Sequence, residues 1–440
     1  MIQTIKKAWA IPELRKKIVF TALMLLIFRI GNAIPVPYVN TELLGEYLNQ
    51  LSTTVLGLYN VMSGGAFANA TVFALGVQPY INSSIIIQLL TIAIPALERM
   101  ARDGGEEGKK KIQSITRYAT VAIAILQGWG YYVLMKNYGI LTGSGVWVAL
   151  VIIVSFIAGS SFVMWMGEQI TEFGIGNGIS IILFANIISR LPAMAESLWK
   201  RCFTSDVVVA NSTYKSVGLG AKLSGAPLYI VGSLLFLLFI AILLFFTVLV
   251  VWFSNSERRI PVQYAKRVVG RKMYGGQSST LPIKLDMSGV MPIIFASSIV
   301  SIPSTIAGFG GTRAWATWIN DFLGYTSFPY IAIYLILIVA FAYFYIMISF
   351  NPVEVANNLQ QNGGAVPGIR PGRPTVAYIT KILNRITLLG ALFLIVLSGV
   401  PMIVNAVWYS IDGYGLSELA FSGSSLLIVV GVALDTGRSM

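Results

Sequence analysis

The sequence contains no histidine and a single cysteine, Cys202. That removes imidazole acid–base catalysis, a Cys/His metal site and any disulfide within the chain. Charge is scarce too: Asp, Glu, Lys and Arg make up 11% of 440 residues, against 56% hydrophobic residues. A soluble chain of this length needs far more charge to cover its surface. Nor does the sequence hold a G-x-x-x-x-G-K-[S/T] phosphate loop, so it carries no such motif for nucleotide-driven work. No catalytic residue, metal or cofactor is expected, and the chain is not expected to be an enzyme.

What is present is apolar length. Mean hydropathy is +0.75. A helical span takes ~20 apolar residues, so ten spans would fill about half the chain. Ten apolar segments stand out, at 18–37, 71–96, 117–136, 146–166, 178–195, 228–253, 287–307, 329–350, 382–404 and 421–437. The expected fold class is therefore an all-α polytopic membrane protein. Each span should be helical, because hydrocarbon offers no partner to a free backbone group. The first segment is longer than a signal-peptide core and lacks a small-residue cleavage site, which makes it a retained span.

Net charge is +13, which suits anionic lipid headgroups or RNA. With the N-terminus inside, the segments assigned to the cytoplasm hold twenty-three Lys and Arg against seven outside, which predicts cytoplasmic N- and C-termini. The loop 190–227 departs from the rule with five basic residues. Cytoplasmic loop 254–286 carries Arg258, Arg259, Lys266 and Arg267 at spacings that suggest a ribbon or hairpin. Loop 351–381 carries Arg370 and Arg373 in a Pro/Gly-stiffened turn. Such loops can rest on lipid or form a docking surface; stiffening favours docking, since lipid attraction needs no defined shape. Rigid arginines suit phosphates or a partner's carboxylates.

A repeat joins the two sets of five spans. Gly76-Val77-Gln78-Pro79-Tyr80-Ile81 opens the second span and Gly289-Val290-Met291-Pro292-Ile293-Ile294 the seventh. Five spans per set means the second set is inverted. Gly/Pro-interrupted spans at matching positions of inverted halves point to a central pathway. Ahead of the second span, the uncharged small-residue stretch from Tyr59 to Ala70 is too short to cross. It either lies on the external surface or re-enters the protein, and its lack of charge favours re-entry. Arg29 is the clear ionisable residue within a span; it is either functional or reaches an interface with its long stem. Ile81 and Ile85, and Ile179 and Leu183, lie four apart and project on one face. A ring of such residues at a constriction would exclude ions by dewetting.

Several motifs together resemble the SecY family of protein-conducting channels. These are Phe28-Arg29-Ile30-Gly31 with Ile34-Pro35-Val36-Pro37, Ala74-Leu75-Gly76 through Leu90, and Gly174-Ile175-Gly176-Asn177-Gly178-Ile179-Ser180. Tyr264-Ala265-Lys266-Arg267, Pro367-Gly368-Ile369-Arg370-Pro371-Gly372 and Ser424-Ser425-Leu426-Leu427-Ile428 complete the set. The likeness covers nearly the whole chain in order and looks bacterial. It implies a clamshell of two five-helix halves, 1–195 and 228–440, hinged at the external loop 196–227 and opening between spans two, three, seven and eight.

Carried onto this sequence, the resemblance implies a pore ring of Ile81, Ile85, Ile179, Leu183, Ile294 and Ile428. It implies a plug helix at about 59–70, with Tyr59, Asn60, Val61, Met62, Ser63, Gly64, Gly65, Ala66 and Phe67. Gln88, Thr91, Gln127, Ser297 and Ser298 match the polar lateral-gate surfaces. Arg258, Arg259, Lys266, Arg267 and Arg370 match docking sites for the SecA motor ATPase and for the ribosome with its RNA. Small SecE-like and SecG-like membrane subunits, signal peptides and preproteins are the other implied partners, with anionic lipids around the basic loops. The expected place is the bacterial inner membrane. Two departures are a longer external loop at 196–227 and the short stretch after Asp435. The rival reading, a secondary transporter of a small solute, predicts intramembrane carboxylates; Glu168 and Glu172 fall only at the edge of the fourth span.

Overall fold

The computed structural model describes residues 9, 11–50, 63–102, 104–203, 207–209, 212–214, 226–264, 267–269, 272–274, 278–287, 289–310, 313–324, 327–412 and 417–439. In chain order these form α1 (Pro12–Gly31), α2 (Thr41–Gln50), α3 (Gln78–Ala93), α4 (Pro95–Arg102), α5 (Gly105–Asn137), α6 (Val146–Phe173) and α7 (Gly178–Phe203). A short hairpin, β1 (Val207–Val209) with β2 (Ser212–Tyr214), precedes α8 (Ala226–Ser254). Then come β3 (Glu257–Tyr264), β4 (Arg267–Val269), β5 (Lys272–Tyr274) and β6 (Ser278–Lys284). The chain continues with α9 (Met291–Gly310), α10 (Ala314–Phe322), α11 (Phe328–Ser349), α12 (Pro352–Gln361), β7 (Gly364–Ala365), α13 (Arg373–Asp412) and α14 (Ser417–Ser439).

Helices α1, α3, α5, α6, α7, α8, α9, α11, α13 and α14 overlap the ten apolar segments in order. Among the described residues, six helices are each long and apolar enough to cross a membrane, and the bent pair α3–α4 makes a seventh. The chain is a multi-pass membrane protein. Helix ends depart from the apolar runs for identifiable reasons. Helix α1 stops at Gly31, ahead of Pro35 and Pro37, whose rings disfavour helical backbone in the residue before them; there Pro35 bridges Thr71 instead. Helix α3 breaks at Ile94, before Pro95, and turns through 106°. Helix α5 begins at Gly105, well before the apolar run, and carries the exposed Lys109, Lys110 and Lys111 on its first turns.

Apolar packing gathers the spans into one core. Helices α3, α5, α6 and α7 pack in sequence, as do α9, α11, α13 and α14. The two sets meet where α7 lies against α8 and α14, and where α9 lies against α5 and α3. Most of the side chains along α8 face outward, as a helix against lipid would.

A second, smaller core lies outside the bundle. Strands β3 and β6 form the hairpin that the loop spacing suggested, in register from Glu257↔Lys284 to Gln263↔Ser278, with β4 and β5 pairing beyond it. Ile260 and Val262 alternate inward with outward Arg259 and Pro261. The sequence reading did not foresee that β7, from the other basic loop, adds to the free edge of β3. Ile260, Ile283, Ala356, Val366, Ile379 and Leu383 pack beneath. The two basic loops are thus one folded unit.

Candidate functional site

The repeated motif sets two helices in place. Gly76 (φ 51°) and Gly289 (φ 55°) both adopt left-handed backbone, which non-glycine residues rarely tolerate. Each helix starts two residues later, at Gln78 and Met291, with Pro79 and Pro292 in its first turn, where a missing N–H costs nothing. Helix α7 begins differently. The Asn177 side chain accepts from the N–H groups of Ile179 (3.1 Å) and Ser180 (3.3 Å), an N-cap. Gly178 packs so tightly on the Gly167 carbonyl that a Cβ would collide with it.

These starts aim six aliphatic side chains at one space. Ile81, Ile85, Ile179, Leu183, Ile294 and Ile428, from α3, α7, α9 and α14, all line a single cavity of about 1310 Å³. Ile85 and Leu183 are almost fully buried, while Ile179 and Ile294 are half-buried. The lining also includes the charged side chains Lys110, Arg117, Glu168, Glu172, Asp286 and Asp435, and Pro282 and Lys284 of β6. Arg117 pairs with Glu168 at 2.8 Å, joining α5 to α6, and Gln113 donates to the same carboxylate.

Asp286 ties elements together. Its carboxylate accepts from the Ser254 hydroxyl at the end of α8 (3.1 Å) and from the Gly289 N–H ahead of α9. Burial pushes its pKa up and the Asp435 charge adds to this, against the two hydrogen bonds and Lys284.

The small-residue stretch packs into the bundle from the side of α1 and α5. Ser63, Ala66, Phe67 and Ala70 are buried, Gly64 and Gly65 are half-buried, and the segment is a run of turns. The expected plug helix is not present over Ser63–Phe67, because Gly64 (φ 69°) and Gly65 (φ 90°) take left-handed backbone that no right-handed helix accommodates. Tyr59, Asn60, Val61 and Met62 lie outside the described residues. The Ser63 hydroxyl accepts from the Phe67 N–H (3.0 Å). The Tyr131 ring of α5 stacks on Phe67 at 4.3 Å and its hydroxyl donates to the Phe67 carbonyl. Arg29 is turned inward: its guanidinium donates to the Ala185 carbonyl of α7 (2.8 Å) and lies beside Gly64.

The polar residues assigned to a gate lie on α3, α5 and α9. Gln88 lines the cavity and donates to Ser84; Thr91 donates to the Ile87 carbonyl. Ser297 donates to the Ile294 carbonyl. Gln127 Oε1 and Ser298 Oγ are buried without a hydrogen-bond partner among the described residues. Ser83 of α3 bonds Thr120 of α5 at 2.6 Å. Of the basic residues, Arg258, Arg259 and Arg370 are exposed on the folded loop unit, with Arg259 paired to Glu257 at 2.6 Å. Arg267 is placed in β4, and Lys266 lies outside the described residues.

The SecY family model matches residues 71–437. The chain belongs to the SecY family. It is 41% identical to the protein translocase subunit SecY of Streptomyces coelicolor, over all of this chain and 97% of that one. It is 39% identical to the subunit of the same name from Aquifex aeolicus, over 100% and 96%. Among solved structures, one described as a protein conducting channel aligns with TM-score 0.60 at 15% identity, over 97% of this chain and 91% of that one. Sec61 from the canine ribosome-channel complex of the endoplasmic reticulum aligns at 0.54 and 14% identity, over 97% and 91%. These two likenesses speak for the fold.

Two features escaped the sequence reading. Asp286 sat in a loop counted only for its basic residues; its signal was a carboxylate three residues before the left-handed Gly289. Tyr131 looked like one more aromatic in a span, and nothing in its spacing distinguished it.

Proposed function

We propose that this chain is the pore-forming subunit of a protein-conducting channel, passing unfolded polypeptide across the membrane and releasing apolar helices sideways into lipid. The observation that supports this most is the convergence of Ile81, Ile85, Ile179, Leu183, Ile294 and Ile428 on one cavity. An aliphatic collar holds no ligand group, so it grips any sequence equally and sheds water when closed. The turns at Ser63–Phe67, braced by Tyr131 and set beside Arg29, serve as the plug's anchored end. The halves 1–195 and 228–440 move about the segment 196–227, with both termini in the cytoplasm of a bacterial inner membrane.

The lateral gate is the seam of α3 and α5 with α9. Gln127 Oε1 and Ser298 Oγ are buried without hydrogen-bond partners among the described residues, and an unsatisfied buried polar group costs about 1–3 kcal/mol. Parting the seam lets water or a signal peptide satisfy them, which lowers the cost of opening. An apolar helix then enters lipid because Leu, Ile, Phe and Val gain ~0.3–0.6 kcal/mol each at the bilayer centre, where Lys, Arg and Asp cost ~2.5–3.5. Energy for translocation comes from outside the chain: the loop unit bearing Arg258, Arg259, Lys266, Arg267 and Arg370 docks a SecA-type motor or the ribosome. SecE-like and SecG-like subunits complete the assembly.

Purified chain and partner subunits in sealed vesicles test this reading. Addition of the motor ATPase, ATP and a preprotein should give protease-protected preprotein. Uptake of a small labelled solute in place of the preprotein would overturn it.

A further inference from the structure

We propose that α10 is an interfacial helix whose aromatic face lies in the headgroup layer of the bilayer, fixing the end of α9 farthest from the β3–β6 hairpin. The nine residues Ala314–Phe322 have two faces. Ala316 is fully buried and Leu323, one residue beyond, packs on the main core. Trp315, Trp318 and Phe322 recur at helical spacing on the other side, 44%, 64% and 41% exposed, and the Trp318 and Phe322 rings stack at 5.2 Å.

Chain length fixes the depth. Helix α9 ends at Gly310 and α10 starts at Ala314. Three linking residues reach on the order of 10–14 Å at most, so α10 cannot leave the neighbourhood of the membrane boundary. The interfacial layer is roughly 5–8 Å thick on each side. Tryptophan concentrates in that layer because its ring is apolar and its N–H is polar. The stripe sits in sequence between lipid-type surfaces, with Ile302 and Ile306 exposed on α9 before it and Phe328 exposed at 81% on α11 after it. Charge lies at its two ends, on exposed Arg313 and Asp321, where headgroups and water are in reach. A three-ring stripe bounded by charge fits this layer better than the dry centre of a protein interface, where charge is depleted.

The test needs only that the chain spans a bilayer, so its failure would leave the channel reading standing. A nitroxide is attached at Trp318→Cys in a Cys202→Ser background, in the assembled channel reconstituted into phosphatidylcholine–phosphatidylglycerol vesicles. Oxygen and nickel-chelate accessibilities then report depth. The expected depth is shallower than at Val248→Cys on the outward face of α8, and deeper than at exposed Asn362→Cys. Accessibility matching Asn362→Cys, or a label shielded from both relaxants by a second chain, would overturn the proposal. If Trp318→Cys fails to assemble, Trp318→Phe serves: it should remove a clear share of the tryptophan quenching by lipids brominated near the headgroup. An unchanged quenching profile would likewise overturn it.

Discussion

At the residue scale, the collar depends on side chains that offer nothing to water. Replacing Ile85 and Ile294 together by Asn puts two amides on a cavity already bordered by charged groups, and a wetted constriction conducts ions. Resting conductance in planar bilayers is expected to rise severalfold, while preprotein transport persists with weaker demands on the signal sequence. Unchanged conductance would remove these residues from the seal. A second single-residue dependence is steric. Gly178→Ala drives a methyl into the Gly167 carbonyl at the α6–α7 turn, and overpacking of this kind costs about 1–3 kcal/mol. Thermal unfolding in detergent should register the loss, with a smaller change for Gly45→Ala, where a Cβ meets nothing within 4 Å. Spacing alone marks the shared faces of Ile81 with Ile85 and of Ile179 with Leu183, and the repeated G-V-x-P marks two helix starts; Ile294 and Ile428 join the set only through the family resemblance. The inward turn of Arg29 was not legible in the sequence, since a lone arginine in a span reaches an interface or a carbonyl equally well, and only the neighbouring Ala185 decides.

At the element scale, the folded loop unit is joined to the start of α9. Strand β6 runs from the arginine-bearing hairpin to Asp286, which holds the end of α8 and the start of α9. Two predictions belong here. Burial raises the Asp286 pKa, so the folded protein binds this proton more tightly than the unfolded chain does. Stability contributed at this site is then fully present in acid and falls as pH rises from the ordinary carboxylate value through the raised one. Asp286→Asn keeps an acceptor for Ser254 and Gly289 without the charge. It should unfold at a higher temperature than the parent near neutral pH, with the gap closing toward about pH 4. A gap independent of pH would show that the carboxylate's charge has no such effect. Separately, Arg370→Glu reverses a charge on an exposed rigid turn and should weaken motor-driven transport without affecting subunit assembly; normal ATP-dependent transport would exclude that arginine from docking. The hairpin was readable from the regular spacing of the loop's basic residues. Its pairing with β7 was not, because a two-residue strand some hundred positions away leaves no periodic signature.

At the scale of the whole molecule, ten apolar runs fix the membrane class and the order of the spans, because hydrocarbon forces each run to satisfy its own backbone. Which spans touch across the two sets is settled by packing detail that hydropathy does not record. The two sets of helices meet at two seams. Helix α7 meets α8 and α14, the side on which the proposed reading puts the hinge. Helix α9 meets α5 and α3; Ser298 of α9 and Gln127 of α5 hold buried polar atoms without hydrogen-bond partners among the described residues. On the proposed reading the opening lies between α9 and α5 with α3, so motion should concentrate at α9. In a Cys202→Ser background, a short thiol cross-linker joining Gln127→Cys to Ser298→Cys should therefore arrest preprotein transport, and cleaving the linker should restore it. A matched linker across α7 and α14 should leave transport close to the parent rate. Arrest by the second linker with free passage past the first would place the opening on the other side of the bundle.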